Sequence, residues 1–419
     1  MSDFALAARN ESFEEIISIL RTQQGRKLDV VAPASQISIT PDSSQLVVSG
    51  ASMAMDADGV TPVDGLYDAT EVFWDGISDK LTLPRAYLRR MLTERPDMLA
   101  MNVNGWLHGG VTQRFDDVPL DYPADPRNFL LRLFRGDDGG TGVARAMLSD
   151  TYKLTMDNLD VLMAALSGVK QAGVAIDITS CNLTERRLRV RVEAPEVRAL
   201  APVLLSQYRN PFADPSVKRA GGWSVDSARA AAQREGLARD IGSEPVVWSG
   251  FEITNSETGG GAYRLTPIIK VEICGNALVI EVDSLRQVHL GQRLDAGLFR
   301  VGEDTAAKEL ELIGLRARDA VSTWLDTEWL ATTIARLEEK AGAPVKDPAA
   351  VVETVTRQLQ FTKEESRGVF DFFIRGGQIS AGGVMQAVTA YAQTVEDPDR
   401  AYDVERAGVP ALEAAFKLA

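Results

Sequence analysis

The eight residues Arg186 to Glu193, RRLRVRVE, alternate between charged and apolar side chains with a period of two. Successive side chains of an extended strand point to opposite faces, so Arg187, Arg189 and Arg191 share one face and Leu188, Val190 and Val192 the other. A helix would scatter the same residues around its circumference. The segment is therefore predicted to be a β-strand with one face in a core and a cationic row on the other. VAIDITS precedes it across Cys181-Asn-Leu-Thr-Glu185, forming a hairpin. Matching apolar faces sets Ile178 opposite Leu188 and Ile176 opposite Val190, which brings Asp177 to Arg189 and Thr179 to Arg187. Two readings of the row stay open. Residues ~6.5 Å apart on one face could follow the phosphates of an extended single strand, or the row is a solvated sheet face with one arginine taken by a cross-strand ion pair.

The period-two pattern continues beyond this hairpin. VVWSGFEIT, AYRLTPIIKVEI and ALVIEV read as further strands, and Tyr263 to Ile273 puts Arg264, Thr266, Lys270 and Glu272 on one parity. Pro267 has no N–H to donate, which argues for an edge or a bulge there. Arg286 and Arg293 follow, so a basic face assembled from these strands would comprise Arg187, Arg189, Arg191, Arg264, Lys270, Arg286 and Arg293.

Flanking this stretch, the pattern is mixed and then helical. Ser12-Phe-Glu-Glu15 has the spacing of a capping box and opens a short amphipathic helix. QISIT and QLVVSG read as a hairpin, DADGVTPVDG as a loop, and helices are predicted over Ala69 to Asp79 and from Leu83, with Pro84 in its first turn, to about Thr93. NFLLRLFRG and VARAMLSDTY read as strands flanking a Gly-rich connection, and a helix follows from Asp157 to about Gln171. Residues 207 to 245 look like an insertion, a loop carrying the Ala-rich helix Ser227 to Leu237. From Ala306 the chain reads as helical, with a second capping box at Thr362-Lys-Glu-Glu365 and EDPDRAYDVE as an acidic connection between helices. The expected fold class is α+β, a mainly antiparallel sheet core over about 129–295 with a mixed region before it and a helical region after it.

Chemical motifs are sparse. A phosphate loop requires a lysine and a hydroxyl after its glycines, and Gly259-Gly-Gly261 is followed by Ala-Tyr-Arg; the dinucleotide pattern fails at Arg264. Those glycines read as a turn that uses positive φ or close backbone approach. Asp56-Ala-Asp58-Gly59 opens like a calcium loop, yet its twelfth position is Tyr67. Cys181, Cys274, His108 and His289 are too scattered for a zinc site, and His289 reads as a surface or cap histidine more readily than as a general base. No catalytic residue, metal or cofactor is predicted. The 419-residue chain carries a formal net charge of −14, which argues against coating duplex DNA through bulk positive charge. No basic leader precedes an apolar run and no apolar stretch reaches membrane-spanning length, so the expectation is a cytoplasmic protein with no membrane partner.

NSETGGGAYRLTP (Asn255 to Pro267), then Cys274-Gly-Asn276 and VHLG, resemble the phage and plasmid proteins catalogued as domain of unknown function 932. LPRAYLRRMLTERPDMLAMNVNGWL, RAMLSDTYKLTMDNLDVLMAAL and ISAGGVMQAVTAYAQTVEDPDRAYDVE are similar to other parts of that family. The matching positions are Asn255, Ser256, Glu257, Gly259, Gly261, Cys274, Asn276 and His289. The resemblance implies a mobile-element protein in a bacterial host and supplies no activity. Taken with the arginine row, it points to a non-enzymatic, oligomeric binder of single-stranded DNA in phage recombination or strand annealing, with a phage exonuclease or a host protein as further partner. The alternatives are a protein-binding module with no nucleic-acid role, and an enzyme using His289 or the Asn255 to Glu257 cluster.

Overall fold

The computed structural model describes residues 5–50, 54–56, 59–61, 63–115, 118–137, 140–152, 156–220, 245–289 and 303–419. Two main sheets carry the fold. The first is antiparallel throughout: β1 (Ala8–Glu11), β12 (Asp177–Leu183), β13 (Leu188–Leu200), β14 (Val246–Asn255), β15 (Tyr263–Val271) and β16 (Ala277–Val279) lie side by side in that order, with β17 (Leu285–Gln287) also on β15. The second has the order β2 (Lys27–Pro33), β10 (Asn128–Phe134), β11 (Gly142–Ser149), β7 (Gly65–Ala69), β4 (Gln45–Val48) and β3 (Ile37–Ile39). Its β11–β7 pair is parallel and the rest antiparallel. Two small hairpins complete the strands, β5 (Ala54–Asp56) with β6 (Gly59–Thr61) and β8 (Gly110–Phe115) with β9 (Val118–Tyr122). The first of these replaces part of the loop expected over DADGVTPVDG, and residues 57, 58 and 62 lie outside the described segments.

The fold class is α+β, but the sheet expected over about 129–295 is divided. β10 and β11 pair with β2 and β7 of the N-terminal region instead of joining the first sheet. Their near-continuous apolar runs, NFLLRLF and GVARAMLS, are buried on both faces, a pattern that suits the middle of a covered sheet. Helices α2 (Glu71–Lys80), α3 (Arg85–Glu94) and α4 (Pro96–His108) share one core with this sheet. Pro84 is the cap of α3 and lies just outside its first turn.

The larger core joins the apolar side of the first sheet to α1 (Phe13–Arg26), α5 (Asn158–Ala172) and α6 (Glu303–Trp324), and extends into the C-terminal helices. α1 opens on the predicted capping box, with Ser12 and Glu15 satisfying each other's backbone donors. α5 and α6 cross at glycines: a Cβ on Gly168 would lie 1.9 Å from the Gly314 carbonyl oxygen, so side chains there would force the helices apart. α7 (Thr327–Ala341), α8 (Pro348–Gln358), α9 (Lys363–Gly376), α10 (Ala381–Ala392), α11 (Pro398–Arg406) and α12 (Gly408–Leu418) then form a helical layer. α9 begins on the second predicted capping box.

The expected connection EDPDRAYDVE is instead largely α11. Asp397 caps it by accepting from the Asp399 N–H, and Pro398 occupies its first turn, where a missing N–H costs nothing. The Ala-rich helix expected at Ser227 to Leu237 lies outside the described residues. Pro267 is not in a bulge, and one of its sides is a local edge. It pairs with Phe251 on one side, and on the other falls between Leu265, which faces β17, and Ile268, which faces β16, so no partner there needs its N–H. Among the described residues no helix is long and apolar enough to cross a membrane.

Candidate anion-binding site

The alternation of RRLRVRVE is realised: Leu188, Val190 and Val192 are fully buried, and Arg187, Arg189 and Arg191 face the other way. The register differs from the expected one. Leu183 lies opposite Leu188, Asn182 opposite Arg189 and Ser180 opposite Arg191, with a bulge between Ile178 and Ser180. The turn is tighter because the Thr184 hydroxyl accepts from the N–H groups of Arg186 and Arg187, a local bond that closes the chain at residue 184. Neither Asp177 nor Thr179 therefore meets an arginine of the row.

The row is not an open groove. α11 lies over it and supplies the carboxylates. Arg187 is 2.9 Å from Asp399 and 3.8 Å from Asp403. Arg189 donates to Glu252 of β14 at 2.8 Å and also to Glu405, and Arg191 reaches Glu405 at 2.7 Å and Glu252 at 3.5 Å. The guanidinium carbons of Arg187, Arg189 and Arg406 stand 4.4, 5.0 and 4.9 Å from the Tyr402 ring centre, within cation–π range. Burial pushes the Glu405 carboxyl up, but Arg191 and Arg189 outweigh it and hold the group at about 2. Lys270, also expected on an accessible basic face, is buried 3.5 Å from Glu193, and burial lowers its ammonium below the usual lysine range against the pull of Glu193.

A cavity of about 110 Å³ remains between the sheet and the ends of α10 and α11. Six cations line it, Arg9, Arg187, Arg189, Arg191, Arg219 and Lys270, against two carboxylates, Asp399 and Glu405. They converge from β1, the β12–β13 hairpin, β15 and the segment before residue 221. Arg219 is oriented by donating to Gln393 Oε1 at 2.7 Å and to the Cys274 carbonyl at 3.0 Å, with its guanidinium 3.8 Å above the Phe212 ring. Burial lowers it below the usual arginine range. Two larger grooves flank the cavity. One of about 330 Å³ shares Arg187 and Tyr402 with it, and one of about 610 Å³ shares Arg9, Thr184, Pro398 and Asp399.

The remaining basic residues disperse. Arg264 lines the 330 Å³ groove and pairs with Glu281 at 3.3 Å. Arg286 lies across the strand pair from Arg264 and is exposed. Arg293 lies outside the described residues. Arg9 and Arg219 were not legible as site residues: Arg9 is far away in sequence, and Arg219 stands in an irregular segment with no periodicity. Asp399, Tyr402 and Glu405 carried a signal, the Asp397-Pro398 pair that starts α11.

The NSETGGG stretch is a clasp between elements. Asn255 Nδ2 donates to the Met156 carbonyl at 2.9 Å and to Asn158 Oδ1 at 3.0 Å, while its Oδ1 lies 3.0 Å from His289 Nε2. Glu257 accepts from the Asn158 N–H at 2.6 Å and from Arg145 at 2.7 Å. Asn255 and Glu257 thus reach outward, and Ser256 fixes the turn: its hydroxyl accepts from the Gly260 N–H at 2.8 Å and donates to the Arg186 carbonyl at 2.5 Å. Gly259 takes φ +82°, and a Cβ on Gly260 would stand 2.9 Å from the Arg186 carbonyl oxygen. A Cβ on Gly261 would meet nothing within 4 Å.

His289, expected at the surface, is buried and stacked on Tyr152 with ring centres 5.1 Å apart. Asn276 ties the Cys274-Gly turn to α10, donating to Gln386 Oε1 at 2.7 Å and accepting from Gln393 at 2.6 Å. Burial pushes the Cys274 and Cys181 thiols up to about 11 and about 12, far from thiolate character at neutral pH.

Around Glu257 lies a second ion network. Arg132 meets Asp157 at 3.0 Å and Asp29 at 3.2 Å, and Lys27 pairs with Asp157 and Asp29. Lys27, Arg132 and Arg145 balance Asp29, Asp157 and Glu257, and the network joins β2, β10 and β11 to the start of α5 and the end of β14. Burial raises the Asp157 carboxyl, and Lys27 and Arg132 overcome it to hold it at about 2. This balanced cluster is structural; the cations lining the cavity outnumber the two carboxylates that line it, although Arg9, Arg187, Arg189, Arg191 and Lys270 also pair with Glu396, Asp403, Glu252 and Glu193 around it. Among the described residues no group of histidine, cysteine and acidic side chains could hold a metal ion. Comparisons with protein-family models, with curated proteins and with solved structures each found no match.

Proposed function

We propose that the protein binds single-stranded nucleic acid, seating a phosphate in the cationic cavity beside α11 and adjoining nucleotides along a groove that shares its rim. One observation carries this reading: six cations from separate segments line a cavity of about 110 Å³ in a chain whose net charge is −14. Local convergence of that kind attracts anions despite an acidic surface. The contact is a closed site with short approaches, in place of a row along which a strand would lie. The likeness to phage and plasmid proteins at Asn255 to Pro267 supports a role in mobile-element recombination or strand annealing, and Asn255, Ser256, Gly261 and Arg264 of that stretch line the smaller groove.

The test is anisotropy of a fluorescent single-stranded oligonucleotide at about 50 and about 200 mM salt. Contacts to three or four phosphates give a log–log salt slope of roughly −2 to −3. Arg9→Gln with Arg187→Gln should flatten that slope, and an affinity unaffected by salt or by this double substitution would refute the site.

A second reading, a protein-binding module, is supported by α4. It leaves Met101 74% and Trp106 60% exposed, beside exposed Met98 and Tyr87, and large apolar side chains grouped on a surface mark interaction sites. A second copy of the chain, a phage exonuclease or a host protein would be the partner. Light scattering of the protein and its Trp106→Ala variant tests it, since an unchanged mass at all concentrations would remove self-association.

A further inference from the structure

We propose that the cavity is a blind pocket for a terminal phosphomonoester, so that the protein recognises a phosphorylated end of a single strand. The inference rests on the nucleic-acid reading above and adds which part of the strand is bound.

The argument is which residues are shared. Arg187 and Tyr402 border one flanking groove as well as the cavity, and Arg9 and Asp399 border the other. Those residues form the mouth. Arg219, Lys270, Gly275 and Gln393 line the cavity and, among the described residues, neither groove. They form the far wall, and hydrogen bonds close it. The Ala220 N–H donates to the Gln393 carbonyl at 2.8 Å, Arg219 bonds the Gln393 side chain and the Cys274 carbonyl, and Gln393 bonds Asn276. Among the described residues, a strand that enters beside α11 has no exit past this wall.

A phosphate that reaches the wall is therefore the last of its chain. A phosphodiester is singly charged and continues on both sides, whereas a terminal monoester carries about −1.5 to −2 charges and three free oxygens at neutral pH. Arg191, which also holds Glu405, and Arg219, which also holds Gln393 and the Cys274 carbonyl, carry planar guanidinium forks suited to those oxygens, and Lys270, paired with Glu193, lines the same cavity. The site makes no distinction between 5′ and 3′ ends on chemistry alone, because both present the same monoester.

The experiment compares one oligonucleotide sequence, labelled internally, in three forms: 5′-phosphate, 3′-phosphate and hydroxyl at both ends. At least one phosphorylated form should bind about tenfold or more tightly than the hydroxyl form, the loss expected when charge-assisted hydrogen bonds to the terminal oxygens are missing. Inorganic phosphate should compete with that form. Arg219→Gln should bring the ratio toward one and Arg219→Lys should restore part of it, with thermal melting confirming that both variants fold. Equal affinity for all three forms would overturn the terminal-phosphate inference while leaving the nucleic-acid reading standing. If no oligonucleotide binds and inorganic phosphate does, the nucleic-acid reading falls and with it recognition of a strand end, leaving a small-phosphate pocket. If neither binds, both fall.

Discussion

Replacing Glu405 with glutamine tests how α11 is held on the sheet. The substitution keeps shape and an acceptor oxygen but removes the charge that faces Arg189 and Arg191. Its side chain is 7% exposed, so solvent screens the pair little. A carboxyl held at about 2 instead of its ordinary 4.5 favours the folded state, when ionised, by roughly 3 kcal/mol, taking ~1.4 kcal/mol per pH unit of displacement. Because the folded value is the depressed one, this stability is present above about pH 4.5 and is lost as pH falls toward 2. Urea unfolding followed by tryptophan fluorescence should show Glu405→Gln less stable by roughly 3 kcal/mol at pH 7 and by roughly 1 kcal/mol at pH 3. Asp157, also held at about 2, weakens wild type and variant alike across the same window, so the difference isolates Glu405. A stability difference that is the same at both pH values, or under about 0.5 kcal/mol at pH 7, would refute the reasoning.

The same variant removes one of two carboxylates lining the cavity, so oligonucleotide affinity at low salt should rise several-fold even as stability falls; a decrease in a folded sample would contradict the electrostatic account of the site. Glu257→Gln takes the charged partner from buried Arg145, while Arg132 keeps Asp157 and Asp29, and should cost about 3–5 kcal/mol in denaturant unfolding. Gly168→Ala drives a methyl group into the Gly314 carbonyl, 1.9 Å from its ideal position. It should destabilise by at least about 1–3 kcal/mol as read by the melting temperature. Trp106→Ala, on an exposed face of α4, should change stability by no more than about 0.5 kcal/mol.

Local signals in the sequence were dependable where one interaction decided the outcome. Both capping boxes formed as spaced, because Ser12–Glu15 and Thr362–Glu365 each close within one turn. The facing of Leu188, Val190 and Val192 followed from the period of a strand alone. What covers the other face did not, since it depends on Glu252, 61 residues from Arg191, and on Glu405, 214 residues away. Alternation fixes which side a residue takes and carries no information about the neighbour it meets there. The register failed for a related reason: apolar matching allowed more than one alignment, and a hydroxyl at Thr184 selected the shorter turn. His289 reads as polar in isolation, yet stacking on Tyr152 and the bond to Asn255 make a buried position tolerable. α11 was legible in principle from Asp397-Pro398, but its three acidic residues at 399, 403 and 405 read as a solvated link until their arginines were located.

β1 brings Arg9 to the rim of the cavity, where it donates to the Val395 carbonyl across 386 residues of sequence. Segments that distant meet late in folding, because loop closure must precede the contact that rewards it. The sheet, α5 and α6 can assemble from nearer neighbours, whereas the rim waits for both the first strand and α11. Anion binding would then report completed folding instead of the presence of secondary structure. A cut in the α10–α11 connection would leave α11 held on the sheet only by its packing and by the pairs of Asp399 and Glu405 with Arg187, Arg189 and Arg191.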